Sequence, residues 1–287
     1  MSPGLHPATL TGMPAACLSV SIVTFRPEPR LFARALASLV VAIEEARRAG
    51  ELSQARVAVI DNSPPECGED VTQATQAWPA SAGTLEVISG QGNVGYGRAN
   101  NLAIARAQTD FHLVMNPDVE LEPAALRESL RAAREHPEVG LVAPAVYGDD
   151  GERQYLCKRY PSVWVLFLRG FAPAPLRRRF AGAINRYEMR DLIGETYVGN
   201  VPLASGCFML ARTPLLTRLG GFDPRFFMYF EDYDLSLRVG RESQVAYVPE
   251  ARIVHHGGEA SRKGLRHVAW FTRSAWRFFA THGWKIA

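Results

Sequence analysis

Between Leu18 and Met115 the hydrophobic period switches repeatedly between two and 3.6, and few folds accept that alternation. Leu18 to Phe25 alternates and is β-branched, so it reads as a strand, broken by Arg26-Pro27-Glu28-Pro29. Leu31, Ala35, Leu36, Leu39, Val40 and Ile43 then form a helical stripe. Pro29 stands near the start of that helix, Arg47-Arg48 in its last turn and Gly50 just past its end. Arg56 to Ile60 is a second strand, ending at Asp61-Asn62-Ser63-Pro64-Pro65, and the polar segment 66–83 reads as a helix with loose ends. A third strand, Leu85 to Ile88, feeds the glycine-rich Gly90 to Gly97; a helix from Arg98 to Gln108 and the strand Phe111 to Met115 complete the series. Parallel strands with crossover helices are the expected outcome, with ligands at the carboxyl ends of the strands. Thr24, Asp61, the loop from Gly90 to Tyr96 and Asp118 all fall at that rim.

The fourth strand stops at Asn116-Pro117-Asp118, because proline lacks a backbone donor and disfavours helix in its predecessor. Asp118 is thereby lifted from the sheet edge to where a hard cation or a ligand can meet it. Beyond this point strands are expected at 140–147, Leu203 to Leu210 and Gln244 to Val248, and short helices at 123–135, Thr213 to Leu219 and Leu235 to Val239. No clean periodicity marks 153–199. A net charge of +3 does not suggest a nucleic-acid partner, and four scattered cysteines without a CxxC pair indicate neither a zinc site nor a disulfide framework. Residues 1–16 are expected to be a flexible N-terminus without the basic and apolar regions of a secretory signal, and no apolar run is long enough to span a membrane. A cytoplasmic chain is the plain reading.

Taken in order, Thr24, Asp61-Asn62-Ser63, Asn93-Val94-Gly95-Tyr96 with Asn100-Asn101, Asn116-Pro117-Asp118, Gly220-Gly221-Phe222-Asp223, Glu231-Asp232-Tyr233-Asp234 and His255 before Gly257-Gly258 form a recognisable series. The chain resembles an inverting family 2 glycosyltransferase with a GT-A fold, and most of all the branch containing bacterial rhamnosyltransferases. The resemblance implies an α/β fold with a mostly parallel central sheet over 17–262. Residues 17–121 would bind a nucleotide-diphosphate sugar, dTDP- or UDP-linked, and 122–262 an acceptor; a basic aromatic helix would follow over 263–287. The best match is transfer of L-rhamnose from dTDP-rhamnose to a glycan or lipid-linked saccharide in cell-surface polysaccharide synthesis.

Such a reaction must neutralise charge on a departing diphosphate, which a hard cation does as a Lewis acid. By the resemblance that cofactor is Mg²⁺ or Mn²⁺. Asn116 stands where the family's DxD-type motif has its first aspartate, leaving Asp118 as the carboxylate ligand and Asn116 to offer its amide oxygen to ribose, water or metal. His255 best matches the distal metal histidine, with His256 as the alternative, since neighbours in an extended chain point to opposite sides. Asp61 would read the pyrimidine N3–H, or form an Asx turn before Pro64. Thr24, Asn93, Gly95, Tyr96 and Arg98 complete the expected donor pocket. Asp232 matches the general base, within a cluster of Glu231, Asp232 and Asp234 that would raise one another's pKa. The alternative is that Asp232 and Asp234 cap a helix.

The C-terminal helix interleaves Trp270, Phe271, Trp276, Phe278, Phe279 and Trp284 with Arg262, Lys263, Arg266, Arg273, Arg277 and Lys285. This suits a peripheral contact with the inner membrane face near a lipid-linked acceptor, or equally an amphipathic helix packed on the domain. Two rival functions use the same residues. Gly90-Gln91-Gly92-Asn93-Val94-Gly95 is literally GxGxxG, the loop of an NAD-dependent oxidoreductase, but it follows the third strand instead of the first. The other rival is a non-catalytic sugar-nucleotide binder.

Overall fold

The computed structural model describes residues 14–257 and 265–287. The chain runs β1 (Ala16–Thr24), α1 (Pro29–Arg48), β2 (Leu52–Asp61), α2 (Glu69–Gln76), β3 (Thr84–Ile88), α3 (Tyr96–Ile104), β4 (Phe111–Met115) and β5 (Val119–Leu121). Then follow α4 (Ala125–Glu135), β6 (Val139–Tyr147), β7 (Arg153–Gln154), α5 (Val163–Gly170), α6 (Ala174–Arg179), α7 (Ala181–Tyr187), β8 (Phe208–Arg212), α8 (Thr213–Leu219), α9 (Glu231–Val239), β9 (Gln244–His255) and α10 (Leu265–His282).

One sheet has the order β3-β2-β1-β4-β8-β6-β9-β5, with β7 hung on β6. Its first half is parallel through β4; beyond it β8 runs antiparallel to both β4 and β6, β6 and β9 are parallel, and β5 returns antiparallel on β9. The parallel character read from the alternation therefore belongs to the first half, and the sheet as a whole is mixed. β1 and β4 are buried on both faces, as their near-continuous apolar runs require. Apolar residues of α1 and α4 cover one face, and those of α8 and α9 the other.

Local chemistry explains the helix ends. Glu28 caps α1, its carboxylate accepting from the amides of Arg30 and Leu31, and Gly50 ends it at φ 77°. Several expected boundaries move. Segment 66–83 is α2 between two short 3₁₀ turns, the strand expected from Leu203 begins only at Phe208, and 153–199 contains three short helices. α9 starts at Glu231, so Asp232 and Asp234 lie inside its first turn and neither is its cap. Positions 1–13 of the expected flexible N-terminus fall outside the described residues, as do Arg262, Lys263 and the boundary drawn after 262; Ala16 already belongs to β1.

Candidate active site

The sheet register brings the sequence-predicted residues together. Thr24 stands opposite Asp61 in the β1–β2 pairing, and its Oγ1 donates to Asp61 Oδ1 over 3.0 Å. The amide of Ser63 donates to the same oxygen at 2.9 Å, so the Asx turn is formed as well. The turn engages Oδ1 alone, and among the described residues no hydrogen bond is made by Asp61 Oδ2. Gln91 ties the glycine loop to this corner, donating to the Asp61 carbonyl at 2.9 Å and to Asn62 Oδ1 at 3.1 Å.

Gly95 has φ 89°, and a Cβ there would stand 2.4 Å from the Phe227 carbonyl oxygen, which accepts from the amide of Tyr96 at 3.0 Å. The loop is thus fastened to the segment leading to α9. Asn93 remains at the exposed rim, its Oδ1 accepting from the Gly95 amide at 3.2 Å. Asn100 and Asn101 do structural work: Asn100 accepts from Ser21 Oγ at 2.7 Å, and Asn101 holds Phe222 by accepting from its amide and donating to its carbonyl. Arg98 points elsewhere, donating to the Pro224 carbonyl at 2.7 Å in a cleft shared with Arg273 and Arg277 of α10.

Asn116-Pro117-Asp118 carries the chain from β4 to β5, where Val119 pairs with His255. That register places His255 Nε2 3.6 Å from Asp118 Oδ1. Pleating sends His256 the other way, to Glu120 at 2.6 Å and to Asp149. Of the two histidines, His255 shares a face with Asp118. A Cβ on Gly257 would fall 2.0 Å from Asp118 Oδ2, so the chain there leaves room only for the carboxylate.

This corner fits a divalent cation. Asp118 Oδ1 is buried without a hydrogen bond, and two ligands each roughly 2.1 Å from one ion stand about 3 to 4 Å apart. Among the described residues no group of three or more His, Cys, Asp or Glu is arranged around a metal position, so Asp118 and His255 are the pair of that kind at this corner.

The second carboxylate arrives through a strained turn. Tyr229 and Phe230 have φ 70° and 67°, a left-handed conformation costing roughly 1–3 kcal/mol per residue. Packing holds them there. Phe230 lies 5.2 Å from Phe271 and 5.3 Å from Phe278 of α10, and Tyr229 Oη meets His267 Nδ1 at 2.8 Å. The turn delivers Glu231 and Asp232 to the end of a cavity of about 460 Å³. Asp232 Oδ2 accepts from the Gly206 amide at 2.9 Å, while Glu231 is buried with Oε2 unbonded. Burial raises both carboxyl pKa values, and the Asp232 charge raises Glu231 further. Asp234 has no part in this: it is buried between Arg238 and His282, each at 2.8 Å, and fastens α9 to α10.

Gly206-Cys207 joins the two carboxylates, a role that the expectation of a strand through Leu203 to Leu210 hid. The Cys207 carbonyl accepts from the Asn116 amide at 2.9 Å, the Gly206 amide holds Asp232, and the Gly206 carbonyl accepts from Tyr96 Oη at 2.7 Å. Burial pushes the Cys207 thiol up to about 12, and Asp118 and Asp232 both push the same way, so the thiol lies in the field of both. The small residues Ala204-Ser205-Gly206 were the signal available in the sequence.

The comparisons with known proteins identify the family and the fold. Residues 19–216 match the family model for glycosyl transferase family 2. The N-acetylglucosaminyl-diphospho-decaprenol L-rhamnosyltransferase of Mycobacterium tuberculosis is 30% identical, over 93% of this chain and 86% of its own length. The rhamnosyltransferase WbbL of Escherichia coli is 27% identical over 68% of this chain and 74% of its own. A crystal structure of GalNAc-T7 with UDP, GalNAc and Mn²⁺ superposes with a TM-score of 0.58 at 14% identity, covering 93% of this chain but only about half, 51%, of the other, which supports the GT-A fold. The glycine loop follows edge strand β3, and the oxidoreductase reading loses its footing. The chain is a glycosyltransferase and belongs to glycosyl transferase family 2.

Proposed function

We propose that this enzyme transfers L-rhamnose from dTDP-rhamnose, with inversion, to a hydroxyl of a lipid-linked saccharide in cell-surface polysaccharide synthesis. The observation that carries the mechanism is that Gly206-Cys207 ties the two carboxylate segments together, the Cys207 carbonyl accepting from the Asn116 amide and the Gly206 amide donating to Asp232, with Asp118 beside His255 and Asp232 lining a cavity. The names of the two bacterial relatives support the sugar, and the first of them a lipid-diphosphate acceptor.

Asp61 Oδ2 accepts the N3–H of the pyrimidine, its carboxylate held in orientation by Thr24 and Ser63. Asp118 and His255 would hold Mg²⁺ or Mn²⁺, with the Asn116 amide oxygen as a further donor, and such an ion would supply Lewis-acid neutralisation of the leaving diphosphate. Asp232 removes the proton from the acceptor hydroxyl, whose oxygen forms the new bond to the anomeric carbon as the bond from that carbon to the diphosphate oxygen breaks. The Gly206 amide orients the Asp232 carboxylate, and burial raises its affinity for the proton to suit a base working near neutral pH.

Within α10, Phe278 and Phe279 are buried and Phe271 half-buried while Trp276 is 62% exposed, so the helix packs on the domain and still presents an aromatic residue to solvent. Val163, Trp164 and Phe167 of α5 are exposed, with Phe171 beyond it and Trp284 and Ile286 of the C-terminal tail. The amides of Val163 and Trp164 bond to the carbonyls of Lys285 and Ile286, which makes this one surface. Among the described residues no helix is long and apolar enough to cross a membrane. The site is therefore expected to meet lipid peripherally, through α5.

A thermal-shift panel of dTDP-, UDP- and GDP-sugars, with and without Mg²⁺ or Mn²⁺, tests the donor. A ligand at 100 times its Kd stabilises by about 2.7 kcal/mol. dTDP-rhamnose with metal is expected to give the largest shift, and metal alone little, since the protein supplies few ligands. Stabilisation by NAD and by no sugar nucleotide would overturn the reading.

A further inference from the structure

The cavity that ends at Asp232 carries a charge pattern that sugar transfer itself does not use. Three cations surround one buried carboxylate, Glu188: Lys158 Nζ lies 3.5 Å and Arg169 Nε 3.1 Å from its Oε1, and Arg190 Nη2 2.7 Å from its Oε2. Lys158 and Glu188 are buried, whereas Arg169 and Arg190 reach solvent, so the two arginines stand where a ligand from outside can meet them. Burial, with Arg169 beside it, pulls the Lys158 ammonium down to about 7. Arg190 turns away, its guanidinium over the ring of Tyr155.

Lys158 and Arg169 both line the cavity of Glu231 and Asp232, yet among the described residues neither pairs with those carboxylates. Each lies 5.5 Å from the ring centre of Tyr187, whose hydroxyl meets that of Tyr233 at 3.0 Å, one residue from Asp232. The cationic end and the carboxylate end are thus joined by one wall. Leu156, Leu166, Phe171, Val268 and Phe271 add apolar wall, interrupted by Ser205, Tyr229 and His267. Phe171 is 55% exposed and continues outward in a row, 6.4 Å from Phe167, which stacks on Trp164 at 5.5 Å. Arg177, Arg178 and Arg179 of α6 follow directly in the chain.

We propose that Lys158 and Arg169 form a subsite for the phosphate groups of a prenyl-diphosphate-linked acceptor, with its hydrocarbon chain leaving along the aromatic row of α5. Lys158 and Arg169 share one oxygen of a single carboxylate on the wall of the cavity, which suits an anion entering it, and an apolar exit beside them suits an anion attached to hydrocarbon. The sugar attached to the diphosphate then extends toward Asp232. This assignment rests on the lipid-linked reading above, and it gives that reading a place on the molecule.

Isothermal titration with farnesyl diphosphate, in saturating dTDP and Mg²⁺ so that the donor site is filled, tests it. The wild type is expected to bind, and Arg169→Gln to weaken binding at least tenfold, as loss of a charge-assisted contact does. Arg169→Lys is expected to recover part of the loss, and Lys158→Met to resemble Arg169→Gln. Farnesol is expected to bind weakly and equally to all four proteins. Arg169 is partly exposed at the end of α5, so its substitution spares the core, and dTDP binding reports the fold independently. Equal affinity of wild type and Arg169→Gln for farnesyl diphosphate, or no binding to the wild type, would overturn the subsite. So would a parallel loss for farnesol, which would show a packing effect. Failure of dTDP to bind would instead count against the donor reading, and the titration repeated without nucleotide would still judge Lys158 and Arg169.

Discussion

On the donor rim each polar side chain is held by a neighbour that strand register supplies. Thr24 faces Asp61 across a parallel pair, and His255 faces Asp118 because Val119 pairs with His255 across an antiparallel one. Around Asp232 no such ladder operates. The proposed base is presented by two left-handed residues that α10 holds down, and its carboxylate is steadied by an amide from a loop 26 residues earlier. Register fixes geometry through many backbone bonds at once, whereas the turn at Tyr229-Phe230 depends on a few aromatic contacts. The donor side should therefore tolerate damage elsewhere, and the acceptor side should fail separately from it.

The largest effect expected is at the base. Asp232→Asn should lower transfer by about 10²–10⁴-fold, the range general-base catalysis supplies, while dTDP-sugar binding persists. The pH profile sharpens this. Because burial raises the Asp232 pKa, wild-type kcat/KM should climb as pH rises through the raised value, and Asp232→Asn should lack that limb. Stability should move oppositely. A carboxyl that binds its proton more tightly folded than unfolded favours the native state at low pH and loses that contribution as pH rises through its folded pKa. Urea midpoints between pH 5 and 8 should therefore fall with pH in the wild type and less steeply in Asp232→Asn. Identical pH–rate limbs in both proteins would remove Asp232 as the base.

A smaller loss is expected on the donor side. Gly257→Ala would set a Cβ 2.0 Å from Asp118 Oδ2, so the carboxylate must turn from the face it shares with His255. Metal-assisted binding of dTDP-rhamnose should weaken about 10–100-fold, as when the surroundings of a metal ligand are disturbed. Binding of the nucleotide without metal should stay unchanged. Equal loss in both conditions would mean that the substitution damages the pocket as a whole, and the separation between the two regions would blur.

The same contrast governs what could be read in advance. Strand periods and the Pro and Gly breaks located Thr24, Asp61 and Asp118, because those residues sit at element ends that local sequence defines. Helix phase alone does not say which neighbour a long side chain such as Arg98 meets; it reaches the Pro224 carbonyl near α10. Asp234 lies two residues from Asp232, but on a helix that spacing turns a side chain to another face, where His282 waits 48 residues later. Gly206, Lys158 and Arg169 left no periodic trace, since their neighbours come from segments with no shared ladder.

The smallest effect is expected from His256→Ala, and its smallness is informative. His256 adjoins His255 in sequence, so a loosely ordered loop would let either side chain reach the ion. In the strand pairing, however, His256 donates its backbone amide to the Asp118 carbonyl at 3.0 Å and turns its ring to Glu120 and Asp149. Alanine keeps that amide and removes only the ring's contacts with Glu120 and Asp149, on the face away from His255. Transfer should change by no more than about twofold, because no group facing the diphosphate is lost. His255→Ala should instead reproduce the metal-dependent loss of Gly257→Ala. If His256→Ala removed the response to Mg²⁺ or Mn²⁺ while His255→Ala kept it, the β5–β9 register would not be what sets the metal face, and the claim that the donor rim is organised by strand pairing would fail at its far edge.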